Sequence, residues 1–170
     1  ERSAIVVNDT CESSVPGVYA VGDVNGGPQF TYISLDDFRI VFGALTGNGQ
    51  YTLKDRKNIP YTTFLTPPLA RVGLTEEDAI NKGYTVKTKE MLVATMPRAH
   101  VNDYLKGAFK IVVNADNDLI LGATLYSQGA EELINLIKMA MDNNIPYTYF
   151  KNQIFTHPTM AENLNDLCNF

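Results

Sequence analysis

Three consecutive stretches decide the fold class: Ala108-Phe109-Lys110-Ile111-Val112-Val113, the polar run Ala115-Asp116-Asn117-Asp118, and Leu119-Ile120-Leu121-Gly122-Ala123-Thr124-Leu125-Tyr126. Two runs rich in β-branched and aromatic residues flank a segment with three turn formers, a pattern that predicts an antiparallel hairpin. A third strand candidate, Tyr84 to Ala94, precedes them, and a helical pattern from about Ala130 to Asn143 follows. In that helix Glu131, Asn135, Lys138 and Asp142 recur at spacings of four, three and four and make one narrow polar stripe. Leu133, Ile134, Leu136, Ile137, Met139 and Met141 cover the remainder. An apolar arc that wide calls for cover on more than one side. It fits a central core helix, and equally a helix with one face on its own sheet and another on a partner subunit.

Working outward, Tyr61 to Leu65 and Leu69 to Leu74 read as strands separated by Pro67-Pro68. Thr75-Glu76-Glu77-Asp78 is a helix start, because a Thr hydroxyl caps free amides and acids favour the positive helix end. Gly83 is placed to stop that helix. Strands in succession with helices to one side make an α+β layer arrangement with an antiparallel sheet, not a βαβ winding. The polar segment Tyr51 to Asn58 reads as a linker. Before it, Ala4 to Asn8 and Gly17 to Val21 suggest short buried strands, Asn25-Gly26-Gly27-Pro28 a turn, and Thr31 to about Leu45 a helix. Leu35, Phe38, Ile40, Val41 and Phe42 offer its apolar face. Residues 1–52 thus read as the last strand and helix of something larger, and 53–170 as a separate domain. A start at Glu1, within a strand-like run, is what a piece of a longer protein would show.

The bulk numbers bound the function. The 170 residues are 45% hydrophobic with a formal net charge of −5 and a sequence pI of about 5.0. An acidic chain with no Lys/Arg run has no electrostatic footprint for nucleic acid or an anionic membrane surface. No apolar stretch reaches the roughly 20 residues that cross a bilayer. The two cysteines, Cys11 and Cys168, belong to no Cys-x-x-Cys pair. This argues against a disulfide-stapled scaffold and a zinc knuckle and favours a reducing, cytoplasmic setting. No metal-ligand spacing stands out, and His100, which precedes the acidic Asp103, reads as a surface histidine.

Two motifs carry chemistry. In Val15-Pro16-Gly17-Val18-Tyr19-Ala20-Val21-Gly22-Asp23 a strand ends in Gly-Asp, and the carboxyl edge of an α/β sheet is where ligands bind. A carboxylate there can accept hydroxyl hydrogen bonds from a polyol, with the helix start near Thr31 aimed at an electron-rich group. Taken alone, Gly-Asp more often marks an ordinary strand turn. In His157-Pro158-Thr159-Met160-Ala161-Glu162, Pro158 suits a first helical position and would start the terminal helix. Glu162, one turn inside it, could reach back to the imidazole, fix its tautomer and raise the basicity of its other nitrogen, as a general base requires. The spacing alone equally describes a helix start with a solvated histidine, which is the commoner case.

Together these stretches resemble the glutathione reductase and dihydrolipoamide dehydrogenase family of flavin-dependent pyridine nucleotide–disulfide oxidoreductases. Ser13 to Val24 resembles its second flavin fingerprint, Ile59 to Glu77 its entry into the interface domain, and Phe155 to Glu162 its C-terminal His-Pro-Thr-x-x-Glu signature. The resemblance implies a parent enzyme that uses FAD and NAD(P)H, works as a homodimer and reduces a small disulfide or oxidant. It places Gly22, Asp23, Phe30, Thr31, Tyr32 and Ile33 at the flavin, with Asp23 on the ribityl chain. It makes His157 the acid–base catalyst for a thiol of the other subunit's redox disulfide, with Glu162 orienting it, and it implies a cis His157–Pro158 bond. Pro97-Arg98-Ala99, Ile120 to Ala123 and Phe155 to Leu167 are similar to mercuric reductase-like flavoproteins, nearest to bacterial reductases of reactive chlorine or hypothiocyanous species. Cys168 stands alone where mercuric reductases carry a vicinal pair, which counts against mercury as substrate. The Gly-x-Gly-x-x-Gly motif, the redox cysteine pair and the nicotinamide domain do not occur in this sequence. The expectation is therefore a C-terminal portion that supplies the base, the interface and one edge of the flavin site, inactive and flavin-free by itself. The alternative is a non-catalytic dimerisation module.

Overall fold

The hairpin forms where its composition places it, at the centre of a five-stranded antiparallel sheet. In a computed structural model describing residues 3–170, the strands are β1 (Tyr61–Thr63), β2 (Leu69–Gly73), β3 (Val86–Leu92), β4 (Ala108–Asn114) and β5 (Ile120–Tyr126). They pair in the order β1-β2-β5-β4-β3. Phe109 faces Leu125 and Ile111 faces Ala123 across β4 and β5, with a register shift between Val112 and Val113. The turn is built by its own side chains: Asn114 Oδ1 accepts from the Asp116 amide at 2.9 Å and Asn117 Oδ1 from the Leu119 amide at 3.1 Å. Such Asx bonds are why Asn and Asp make turns.

The period of two sends Ala70 and Val72 of β2, Phe109, Ile111 and Val113 of β4, and Ala123 and Leu125 of β5 to one face, all buried. The helices α4 (Ala130–Asp142), α5 (Tyr147–Asn152) and α6 (Asn163–Leu167) complete this core with Leu133, Ile134, Ile137, Tyr147, Phe150, Leu164 and Leu167. Each such large side chain contributes about 1.5–3 kcal/mol of transfer free energy. On α4 the solvent-facing line is Glu132, Asn135, Met139 and Asn143. Three members of the expected polar stripe, Glu131, Lys138 and Asp142, are instead half-buried. Lys138 pairs with Asp142, and Asp142 also accepts from Asn58 Nδ2 at 2.9 Å. Local pairing lets Lys138 and Asp142 flank the core, whereas Glu131 buries Oε2 without a hydrogen-bond partner among the described residues, so the apolar arc is narrower than composition suggests.

The helix α2 (Glu76–Asn81) starts as expected: Thr75 Oγ1 accepts from the Asp78 amide and Asp78 answers to Thr75, a capping box. Glu76 reaches Lys110 at 2.7 Å. Lys110 alternates with the inward Phe109 and Ile111, so this contact lies on the opposite sheet face. The short α3 (Pro97–Val101), with proline in its first turn, and α5 are additions to the expected elements. Five or six residues are too few to show a helical period.

The chain divides into two units, Glu1–Lys57 and Asn58–Phe170. In the first, the strands expected at Ala4 to Asn8 and Gly17 to Val21 do not form. Single bridges join Val7 to Ser13 and Glu12 to Tyr19, and Val6 and Val18 are exposed. The intervening loop closes on itself, with Asn8 Oδ1 accepting from the Thr10 and Glu12 amides, and pairing ends after one bridge on each side. The expected helix is present as α1 (Thr31–Thr46), ended by Gly47 in the left-handed region at φ +71°. Its buried face is Ile33, Asp37 and Ile40, whereas Leu35, Phe38 and Phe42 are at least half exposed. Among the described residues no helix is long and apolar enough to cross a membrane.

Candidate functional site

In the second unit, the Gln153 to Glu162 segment joins α5 to α6 and carries the histidine motif. The terminal helix begins at Asn163, not at Pro158. The amides of Asn163, Leu164 and Asn165 bond three residues back, to Met160, Ala161 and Glu162, so a tighter turn precedes the α-helix. Glu162 is therefore the N-cap residue of α6, not a residue one turn inside it. The His157–Pro158 bond is cis, as the resemblance implies.

His157 Nδ1 lies 2.7 Å from Glu162 Oε2. An ionised carboxylate only accepts, so Nδ1 carries a proton, and in the neutral ring the lone pair falls on Nε2. Among the described residues Nε2 has no partner, and the His157 side chain is 67% exposed against 18% for Glu162. Burial alone would raise the Glu162 pKa; the hydrogen bond from His157 and that from the Thr159 amide, 3.0 Å from Oε1, outweigh it and hold the carboxyl below its usual range. The Glu162 amide in turn donates to Thr159 Oγ1 at 3.2 Å, and Thr159 Oγ1 donates to the Thr156 carbonyl at 2.8 Å. Asn165 Nδ2 ties α6 to the end of α5 through the Phe150 and Gln153 carbonyls at 2.7 and 2.9 Å. Lys89 Nζ holds the far end of α6 through the Asp166 carbonyl at 2.8 Å. The arrangement presents an exposed basic nitrogen on a hydrogen-bonded pedestal, suited to taking and returning a proton.

In the first unit, Gly22 to Asn25 is a 3-10 turn after an extended Val21. Gly22 is buried at φ +72°, and a Cβ there would fall 2.5 Å from Ser34 Oγ, so the turn lies directly on α1. Asp23 is exposed, and its carboxylate has no hydrogen-bond partner among the described residues. Phe30 is the N-cap residue of α1, with no side-chain cap bond. Phe30 and Tyr32 stack with ring centroids 5.1 Å apart, Thr31 is exposed, and Ile33 points into the unit. The structure thus brings Gly22 and Asp23 together with the start of α1, and His157 together with Glu162.

Sequence reasoning passed over Asp37 and Arg56. Asp37 is fully buried; Oδ2 accepts from the Gly22 amide at 2.7 Å and from Asn25 Nδ2 at 2.9 Å, and Oδ1 accepts from Arg56 Nη2. The signal was available, as an acid at the middle of the i, i+4, i+7 set Ile33–Asp37–Ile40. His100 is exposed, with Nε2 2.8 Å from the Ala94 carbonyl. No cluster of three metal-ligating side chains occurs among the described residues.

A model of the pyridine nucleotide-disulphide oxidoreductase dimerisation domain matches residues 59–168. The chain is 48% identical over 167 residues to the probable pyridine nucleotide-disulfide oxidoreductase RclA of Escherichia coli (strain K12), covering 98% of this chain and 38% of that protein. It is 34% identical over 164 residues to a mercuric reductase of Staphylococcus aureus, covering 96% of this chain and 30% of that one. A solved structure of the HOCl-induced flavoprotein disulfide reductase RclA from Escherichia coli matches with a TM-score of 0.96 at 47% identity, over 99% of this chain and 39% of that chain. This chain therefore spans less than two fifths of the length of these relatives. Sheet order, helices and sequence agree: the chain belongs to the pyridine nucleotide-disulphide oxidoreductase family and carries its dimerisation domain.

Proposed function

We propose that this chain serves a cytoplasmic, homodimeric, flavin-dependent NAD(P)H:disulfide oxidoreductase by supplying the dimer interface and the acid–base pair His157–Glu162. The observation that carries the reading is the 2.7 Å contact between Nδ1 and the carboxylate, which leaves Nε2 exposed and basic. His157 takes up at Nε2 the proton of a thiol of the partner subunit's redox pair, leaving a thiolate to attack the substrate disulfide, and delivers that proton to the substrate thiolate expelled as the enzyme disulfide re-forms. Glu162 holds the ring in the one tautomer that can do so and favours the transient imidazolium. Cys11 and Cys168 are both buried free thiols, so neither suits the redox pair. That pair belongs to sequence outside this chain.

Residues 1–52 would belong to the flavin domain and 53–170 to the interface domain. The groups at the first site suit FAD: an exposed carboxylate on Asp23 for polyol hydroxyls, a side-chain-free Gly22, and a helix start at Phe30 to Ile33 with no side-chain cap bond. FAD, when bound, relays the reducing equivalents of NAD(P)H to the disulfide. The dimer reading rests on the family domain and on the near-complete exposure of Ile154, 95%, three residues before His157. A small disulfide or oxidant is the fitting substrate class.

In the full-length enzyme, His157→Ala should lower disulfide turnover by a factor on the order of 10² while flavin reduction by NAD(P)H stays near normal, measured by stopped-flow absorbance. Unchanged turnover would overturn the assignment of His157.

A further inference from the structure

We propose that Asp37 is a positioning residue for the flavin site, gripping the Gly22–Asn25 turn on both sides of Asp23 so that the Asp23 carboxylate is held outward for a polyol. The inference rests on the reading of Asp23 as the acceptor of flavin hydroxyls. Asp37 lies on the buried face of α1 between Ile33 and Ile40, where an aliphatic residue would pack without the desolvation cost of a charge. Three donors surround its carboxylate. Two come from the turn, the Gly22 amide just before Asp23 and Asn25 Nδ2 just after it. The third is Arg56 Nη2, while Arg56 Nε donates to Asp36 Oδ2 at 2.7 Å.

The grip spreads from there. Asn25 Nδ2 also reaches the Ala20 carbonyl at 3.3 Å, and Asn25 Oδ1 accepts from the Gly27 amide at 3.0 Å. Both flanks of Asp23 are therefore fixed to α1, Gly22 is held at its positive φ, and Asp23 alone in the turn keeps a disengaged carboxylate. An amide at position 37 cannot replace this carboxylate. It offers one acceptor oxygen where two are used, so either Arg56 or the turn faces an N–H.

The test is a fluorescence titration of FAD into the full-length apoprotein for wild type, D23N, D37N and the double variant, with thermal melts of each apoprotein. D37N should weaken FAD tenfold or more, the size expected for losing charge-assisted bonds. The double variant should bind within about twofold of the weaker single variant, since Asp37 acts through Asp23. D37N binding FAD as wild type does, or a double variant weakened by the product of the two singles, overturns the proposal. If D23N binds FAD normally, the reading of Asp23 fails and the positioning role falls with it. If D23N weakens FAD and D37N does not, only the positioning role falls. Should D37N not fold, R56K decides: it keeps the charge but loses the fork that spans Asp36 and Asp37, and should weaken FAD several-fold. Unchanged affinity in R56K overturns the proposal.

Discussion

Leu125 and Asp37 are both fully buried, one in each unit, and their surroundings are opposite in kind. Leu125 lies in a continuous apolar cluster that runs from β2 through β4 and β5 to α4 and α6. Asp37 lies among N–H donors from a turn and an arginine, and the apolar residues buried in its unit are few: Cys11, Ala20, Ile33 and Ile40. Leu35, Phe38, Phe42 and Leu45 of α1 stay exposed in this chain. The difference teaches where each unit's order comes from. Apolar burial is non-directional and summed over many contacts, so it sets stability. A buried charge network is directional and costly to desolvate, so it sets geometry more than stability.

The largest effect should come from breaking the apolar side. Phe109 is fully buried at the centre of β4, opposite Leu125. Phe109→Ala removes a large side chain from a site that cannot collapse, at a cost of about 3–5 kcal/mol in urea unfolding. Hydrogen exchange should show the loss across β2, β4, β5 and α4, with the Gly22 amide protected as before. A loss shared equally by Gly22 would mean that the two regions do not differ in the way described.

The cysteines sharpen the contrast, because each unit buries one. Burial, then the nearby Asp37 carboxylate, push the Cys11 thiol up to about 11 against the lowering pull of Arg56. Burial pushes Cys168 to about 12, with Lys89 opposing. A thiol whose folded pKa is raised keeps its stabilising contribution below its ordinary value of 9.0 and loses it as pH rises. Stability should therefore fall from pH 9 to about 11 on account of Cys11 and to about 12 on account of Cys168, by up to about 1.4 kcal/mol per pH unit for each. Labelling at pH 8, followed by mass spectrometry, should reach Cys11 roughly tenfold sooner or more, since its unit opens at lower cost. Cys168 reacting first would reverse the ranking of the two units.

The same contrast explains what was legible in the sequence. The sheet and α4 could be read because apolar periodicity is the record of an apolar core, and 108–126 carries it twice. The two N-terminal strands were misread because Ala4 to Val7 and Gly17 to Val21 have strand composition without strand partners, and pairing is not written in a local window. The polar stripe of α4 was misplaced because Lys138 and Asp142 satisfy each other at the edge of the core. The spacing of His157 and Glu162 allowed their pairing but by itself favoured a solvated histidine, and only the companion motifs singled it out; the start of α6 was not legible, since Thr159 and Glu162 bond each other in a turn that precedes the helix. Asp37 was passed over because a single acid on an apolar face reads as noise until its three donors, 15 and 12 residues upstream and 19 downstream, are assembled around it.

The smallest effect separates a polar network that is buried from one that is not. At the start of α2, Thr75 Oγ1 accepts from the Asp78 amide at 3.0 Å and donates to Asp78 Oδ2 at 2.6 Å. The Thr75 hydroxyl first, and then its amide, hold the Asp78 carboxyl below the usual carboxylate range. These bonds are of the same kind as those at Asp37 but face water, so their loss is largely made good by solvent. Thr75→Ala should cost about 1 kcal/mol, read by denaturant unfolding at neutral pH. A lowered carboxyl pKa contributes above its ordinary value and loses that contribution as pH falls through the folded one. Wild type and Thr75→Ala should therefore converge in stability as the solution is acidified below the ordinary Asp value of 3.8. A Thr75→Ala cost as large as that of Phe109→Ala would break the argument, because bond type and not burial would then decide what a polar network is worth.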